Sequence, residues 1–240
     1  MLLSLSVGDV IIGDTGTPAL ISLILRRENQ IYVTSVAQAF AEYITDSETG
    51  LTHLRMPPKS RRSVRLRTST GDVQLGHIIK LRFNYQEDIC LIQVTADVEV
   101  ADAQPLLRGV LHFVKPVKSA LYDHFQLVTK IGGRLEMTSV TMFHPTFDTV
   151  GVDLHMAVEL PREIEDQLMQ TDEVRVGLLL VRDNQDGSYS PAGQLRFKER
   201  THRGMLWVFS AFYNSMSLVS LFGLFEQYQI VSGGRQVSIN

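Results

Sequence analysis

Apolar and polar residues alternate along this chain in short runs of period two, a pattern that belongs to strands rather than helices. Such runs cover Leu20–Leu25, Ile31–Thr34, Val73–Phe83, Ile89–Val94, Gln126–Lys130, Leu135–Phe143, Val150–Val158, Val174–Val181 and Gln194–Phe197. Within Val150–Val158, the residues Val152, Leu154, Met156 and Val158 share one face, and Gly151, Asp153, His155 and Ala157 share the other. That segment is expected to be a half-buried antiparallel strand. Asn184-Gln185-Asp186-Gly187 predicts a hairpin turn, because Asp-Gly supplies the positive φ such turns require. Helical spacing occurs twice. Pro161–Met169 predicts a short helix, with proline in its first turn and acids near its positive end. From Asn214, a good N-cap, Leu218, Leu221, Phe222 and Phe225 recur at helical intervals and predict a C-terminal amphipathic helix. Many strands closed by one helix give an all-β barrel or sandwich.

A chain of 240 residues can bury a full core as one large β domain or two small ones. Hydrophobic residues at 44% and charged residues at 20% predict no long disordered segment. A net charge of -3 excludes a surface devoted as a whole to nucleic acid or anionic membrane, and leaves room for a local patch. The candidate patch lies in the least regular stretch, Thr45–Thr70, where an acidic tip and Pro57-Pro58 precede Lys59, Arg61, Arg62, Arg65 and Arg67. Alternation puts Ser63, Arg65 and Arg67 on one strand face, which could follow a phosphate backbone. No aromatic residue is interleaved to stack bases, so the run reads first as a solvated edge strand guarded by charge, with nucleic-acid binding as the secondary reading.

The single Cys90 sits in an apolar run, cannot form an intramolecular disulfide, and reads as a small buried hydrophobe in a reducing compartment. Residues 1–12 lack a basic leader and are broken by Gly8 and Asp9, so no signal peptide is expected. The apolar stretch Met216–Phe225 is interrupted by serines and Gly223 and falls short of the roughly 20 residues a membrane helix needs. A soluble, cytoplasmic protein without a membrane partner is expected. His53, His77, His112, His124, His144, His155 and His202 show no metal-ligand spacing, and neither a metal nor a cofactor is expected.

Five segments, taken in order, resemble the landmarks of trypsin-like serine peptidases. After Gly16-Thr17, the run Ile31-Tyr32-Val33-Thr34-Ser35-Val36-Ala37-Gln38-Ala39-Phe40 is similar to the strand that ends in Thr-Ala-Ala-His, with Gln38 where the histidine belongs. Glu87-Asp88-Ile89-Cys90-Leu91-Ile92-Gln93-Val94 is similar to the Asp-Ile-Ala-Leu-Leu strand and keeps the triad aspartate as Asp88. Leu127–Arg134 followed by Thr138–Phe143 resembles the hairpin that opens the second barrel, and Thr171–Phe197 resembles the strand pair around the nucleophile. There the Gly-Asp-Ser-Gly motif falls on Val174-Arg175-Val176-Gly177, so that Val176 stands in place of serine. The predicted helix after Asn214 is similar to the closing helix of that family.

The resemblance implies two six-stranded antiparallel β-barrels and a C-terminal α-helix. It places the first barrel at 1–105, the second at 106–212, and a helix and tail packing on them at 213–240. It also implies a degenerate triad at Gln38, Asp88 and Val176 with no catalytic residue. Glutamine is no general base near neutral pH, and valine carries no nucleophilic atom. A non-catalytic protein-interaction or scaffold component, bound to protein partners or to copies of itself, is the expected role. The competing reading is a peptidase acting through Asp14 or Thr15. Gly13-Asp14-Thr15-Gly16 contains the Asp-Thr-Gly of aspartic peptidases, but that chemistry needs a second carboxylate motif, which the sequence lacks. A turn between the first two strands explains these residues more simply.

Overall fold

The computed structural model describes residues 2–83, 88–101, 104–108, 124–131, 133–148, 151–159, 165–166, 176–201, 204–212 and 228–231. Its first half holds β1 (Leu3–Leu5), β2 (Val10–Gly13), β3 (Pro18–Leu20), β4 (Leu23–Arg27), β5 (Gln30–Ser35), β6 (Glu42–Thr45), β7 (Thr52–Arg55), β8 (Ser63–Thr68), β9 (Gly71–Phe83), β10 (Asp88–Val94) and β11 (Val98–Val100). Its second half holds β12 (Phe125–Ile131), β13 (Arg134–Asp148), β14 (Gly151–Glu159), β15 (Leu179–Asp183), β16 (Tyr189–Thr201) and β17 (Gly204–Ala211), followed by β18 (Gln229–Ile230).

The second half closes on itself in the order β12-β13-β14-β17-β16-β15, a six-stranded antiparallel barrel. The first half runs β4-β5-β10-β9-β8-β2-β3, and β3 leads straight into β4 through Ile21-Ser22. Taken as one bent strand, β3–β4 joins both ends of that sheet, so the first half is also a six-stranded barrel, and its strand order matches the second. No repeat is visible in the sequence. Two unrelated residue patterns therefore carry one topology, as expected when period-two burial rather than residue identity fixes register.

The bend explains why the predicted strand Leu20–Leu25 is interrupted. At Ile21 the main-chain N–H turns back to Asp9, and at Ser22 it passes to Thr34, as the chain leaves β2 and joins β5. In the predicted strand Val174–Val181, residues 174 and 175 lie outside the described residues, Val176-Gly177 forms a turn with Gly177 at φ +97°, and the strand is described from Leu179. The hairpin at Asn184–Gly187 forms as expected: Asp183 pairs with Tyr189, Gly187 takes φ +80°, and Asp186 Oδ1 accepts the Ser188 N–H at 2.9 Å. Strand Gly151–Glu159 pairs antiparallel with β13 and β17. Of the predicted helix Pro161–Met169, only Glu165 and Asp166 are described, and both are helical. The predicted helix after Asn214 lies outside the described residues. Of the 213–240 segment the described residues are 228–231, where β18 pairs with β4 and Tyr228 packs edge-on against Tyr32 at 4.9 Å.

One apolar core runs through both barrels, from Leu25, Leu75 and Ile92 to Val128, Leu179, Val181 and Phe212. Residues 104–108 touch both halves. The Gln104 side chain accepts the Val7 N–H at 3.0 Å, while Leu106 accepts the N–H of Tyr189 at 2.8 Å. Among the described residues, no helix is long and apolar enough to cross a membrane.

Candidate functional site

The site is built where the barrels meet. Strand β5 ends at Ser35, and after Val36 the chain tightens into a 3-10 turn at Ala37–Ala39. Ala37 and Ala39 are buried beneath it, so Gln38 between them points toward the inter-barrel boundary. Asp88 opens β10 beside this turn and is 1% exposed. The Gln38 main-chain N–H donates to Asp88 Oδ1 at 3.0 Å, which fixes the turn and the carboxylate relative to each other.

The second barrel contributes β16. Arg196, 8% exposed, brings Nε to 3.3 Å from Asp88 Oδ2 and lays its guanidinium over the Phe83 ring at 5.0 Å. Gln38 Nε2 donates to the Arg196 carbonyl at 2.5 Å. Gln194 Nε2 donates to the carbonyls of Asp88 and Ser35. These contacts cross between barrels and leave Asp88 among polar groups in a dry setting. Burial pushes its carboxyl up to about 6, against the pull of the Gln38 N–H, the Arg196 guanidinium and the Ala37 N–H.

The structure joins two of the three positions singled out in the sequence. Gln38 and Asp88 are hydrogen-bonded to each other. Val176 is half-buried, and its carbonyl accepts the Leu20 N–H at 2.8 Å, while Ser22 Oγ donates to the neighbouring Gly177 carbonyl at 2.7 Å. No hydrogen bond links Val176 to Gln38 or Asp88. Arg196 and Gln194 were missed in the sequence. The signal available was that both are polar residues within an apolar run, and buried polar groups need partners.

Asp14 and Thr15 lie exposed in the β2–β3 turn, and Thr15 Oγ1 donates to the Ala39 carbonyl at 2.7 Å. The basic run corrects the expectation of an edge strand, since β8 is paired on both sides, by β2 and β9. Barrel closure removes that edge. Its alternation is as expected: Val64 and Leu66 face in, and Arg65 and Arg67 face out. Several of its cations are engaged locally. Arg61 pairs with Glu42 at 2.8 Å, Arg67 faces Asp72 at 3.8 Å, and Arg62 Nε donates to the Pro57 carbonyl at 2.7 Å. Lys59 is exposed in a second 3-10 turn. Among the described residues, no group of three or more His, Cys, Asp or Glu side chains could hold a metal ion.

The paired barrels are those of the trypsin-like, or chymotrypsin-fold, serine proteases. An alpha-lytic protease homolog, N4, superposes with a TM-score of 0.56 at 12% identity, over 92% of this chain and 97% of that one. Protease A of Thermobifida fusca gives 0.53 at 12% identity, over 96% and 100%. A serine protease described as specific for glutamic acid gives 0.55 at 8% identity, over 95% and 100%. At these identities the likeness is one of fold. No protein-family model and no curated protein matches the chain.

Proposed function

We propose that the chain is a catalytically inactive protein on the trypsin-like fold, serving as a protein-interaction or scaffold component of a larger assembly. The observation that carries this reading is the position of Gln38. Its amide nitrogen donates to the Arg196 carbonyl, and Arg196 rather than an imidazole faces Asp88. An amide cannot relay a proton from a nucleophile, and a guanidinium stays charged throughout the relevant pH range. Val176 at the nucleophile position fits the same reading. Two barrels, at 1–105 and 106–212, would act as one rigid platform for a protein partner or a second copy. Strand edges outside the closed barrels, such as those of the two-stranded β6–β7 sheet, can take a partner strand. The lone buried Cys90 suits a cytoplasmic setting.

The test is a broad fluorophosphonate probe together with a casein digest, with and without pepstatin, and a native pull-down read by mass spectrometry. No labelling, no digestion and a stoichiometric protein partner or self-association are expected. Labelling or digestion by the pure chain would overturn the reading. If either is lost on Asp14→Ala or Thr15→Ala, the peptidase reading takes its place.

A further inference from the structure

Charge is distributed one-sidedly over the first barrel. Residues 51–83, which run through β7, β8 and β9, hold eight Lys and Arg against one acid, Asp72, a net of +7. The whole chain carries -3, so its remaining residues carry -10. An ordinary solvated face intersperses both signs. Protection of an exposed edge does not explain the excess either, because β2 and β9 pair with β8 on both sides. Local acids offset only part of it. Glu42 neutralises one charge of Arg55 and Arg61, which it bridges, and Asp72 faces Arg67 at 3.8 Å. Arg62 gives Nε to the Pro57 carbonyl, a neutral partner that leaves its charge in place. Lys59, exposed in the second 3-10 turn, and Arg65, on the outward face of β8, form no ion pair with a described residue. Across from β8, β9 sets Gln74 opposite Arg65 and His77 opposite Ser63, which extends the polar face.

We propose that this outward face of β8 and β9, with the 3-10 turn that precedes it, binds the phosphate backbone of double-stranded nucleic acid without reading its sequence. The six residues of β8 span ~20 Å, over which a duplex presents about twelve phosphates at one per ~1.7 Å. Few protein surfaces offer carboxylates at that density. The arginines suit phosphate, because a planar guanidinium can donate to two of its oxygens at once. A duplex rather than a single strand fits the face, since single strands are held by aromatic platforms on which their bases stack. Among the described residues the exposed aromatic is Tyr43, and it lies on β6. A membrane surface fits less well, because the large apolar side chain exposed on β8 and β9 is Ile79, too little to enter a bilayer. Lys59, Arg62, Arg65 and the unbalanced charge of Arg55 and Arg61 leave four cations for phosphate. Binding at this face does not depend on whether the chain has catalytic activity.

Fluorescence anisotropy of a labelled DNA duplex of mixed sequence, titrated with the full chain, tests this. Four phosphate contacts predict a loss of affinity of roughly a hundred-fold between about 50 and 200 mM salt. Lys59→Gln/Arg65→Gln should weaken binding more than roughly ten-fold at the lower salt and flatten the slope of log affinity against log salt by about 2. Arg134→Gln, which removes an exposed cation of the second barrel, should bind as the wild type does. Absent or salt-insensitive binding overturns the proposal, as does a double variant that binds like the wild type. Tighter binding of polyglutamate, of phosphatidylserine vesicles or of a single-stranded oligonucleotide than of the duplex also overturns it, and names an acidic protein, a membrane or a single strand as the occupant. If Lys59→Gln/Arg65→Gln does not fold, Lys59→Gln/Arg61→Gln, confined to the 3-10 turn, must show the same losses, and unchanged binding rejects the proposal.

Discussion

Replacing Gly177 by alanine should loosen the junction between the barrels more than any comparable change in an exposed turn. Gly177 adopts φ +97°, and a Cβ there would lie 2.6 Å from the Leu20 carbonyl oxygen and 3.2 Å from the Leu20 nitrogen. Those distances fall well inside the roughly 3.5–4.0 Å of a comfortable carbon contact. Leu20 is backbone in the bent strand and cannot rotate away. The left-handed conformation alone costs an alanine about 1–3 kcal/mol. Relief requires moving Val176-Gly177 off β3, which breaks the Leu20–Val176 and Ser22–Gly177 hydrogen bonds, at about 1 kcal/mol each. The expected loss is about 3–5 kcal/mol, or roughly 10 °C in melting temperature for a chain of this size. Gly187→Ala is the matched control. It has φ +80°, and no atom lies within 4 Å of a Cβ there. The same conformational cost of about 1–3 kcal/mol applies to it, without the clash or the lost hydrogen bonds. Urea denaturation of both variants, followed by Trp207 fluorescence, compares them directly. Gly177→Ala within about 1 kcal/mol of Gly187→Ala would refute the close approach of Gly177 to β3.

Arg196→Met leaves Asp88 buried without its counter-ion and should cost about 3–5 kcal/mol at pH 7.5 by urea denaturation. That loss should shrink below about pH 5, because a protonated Asp88 needs no counter-ion; a pH-independent loss would count against the pairing. Cys90 is fully buried, and burial pushes its thiol up, so a chromogenic disulfide reagent should leave it unmodified in the native protein and react fully in urea. Rapid native labelling would contradict its position in the core.

The amount of this protein legible in its sequence follows from how local each signal is. Short apolar, β-branched runs are local signals, so strands such as Ile89–Val94 and Gln126–Lys130 appear where those runs place them. The Asp-Gly turn is local too, as is the Gln38 position at the end of β5. Short strands escaped: β1, β6, β7 and β11 have three or four residues each, too few for alternation to register. The interruption at Ile21-Ser22 could not be read locally, because it arises where one strand changes partners from β2 to β5. The same holds for β8, whose charged outward face looks like an edge in the sequence and lies inside a closed barrel in the fold.

By itself, then, the sequence determined an all-β chain, the neighbouring identities of Gln38 and Asp88, and the apolar character of Val176. Only the tertiary structure decided that Arg196, 108 positions after Asp88 in the chain, supplies its counter-charge, and that Gln194 holds its carbonyl. The physical reason is that a buried carboxylate's state depends on what excludes water from it and what charge faces it. Both come from the other barrel, and no local pattern in the chain encodes which strand will arrive there.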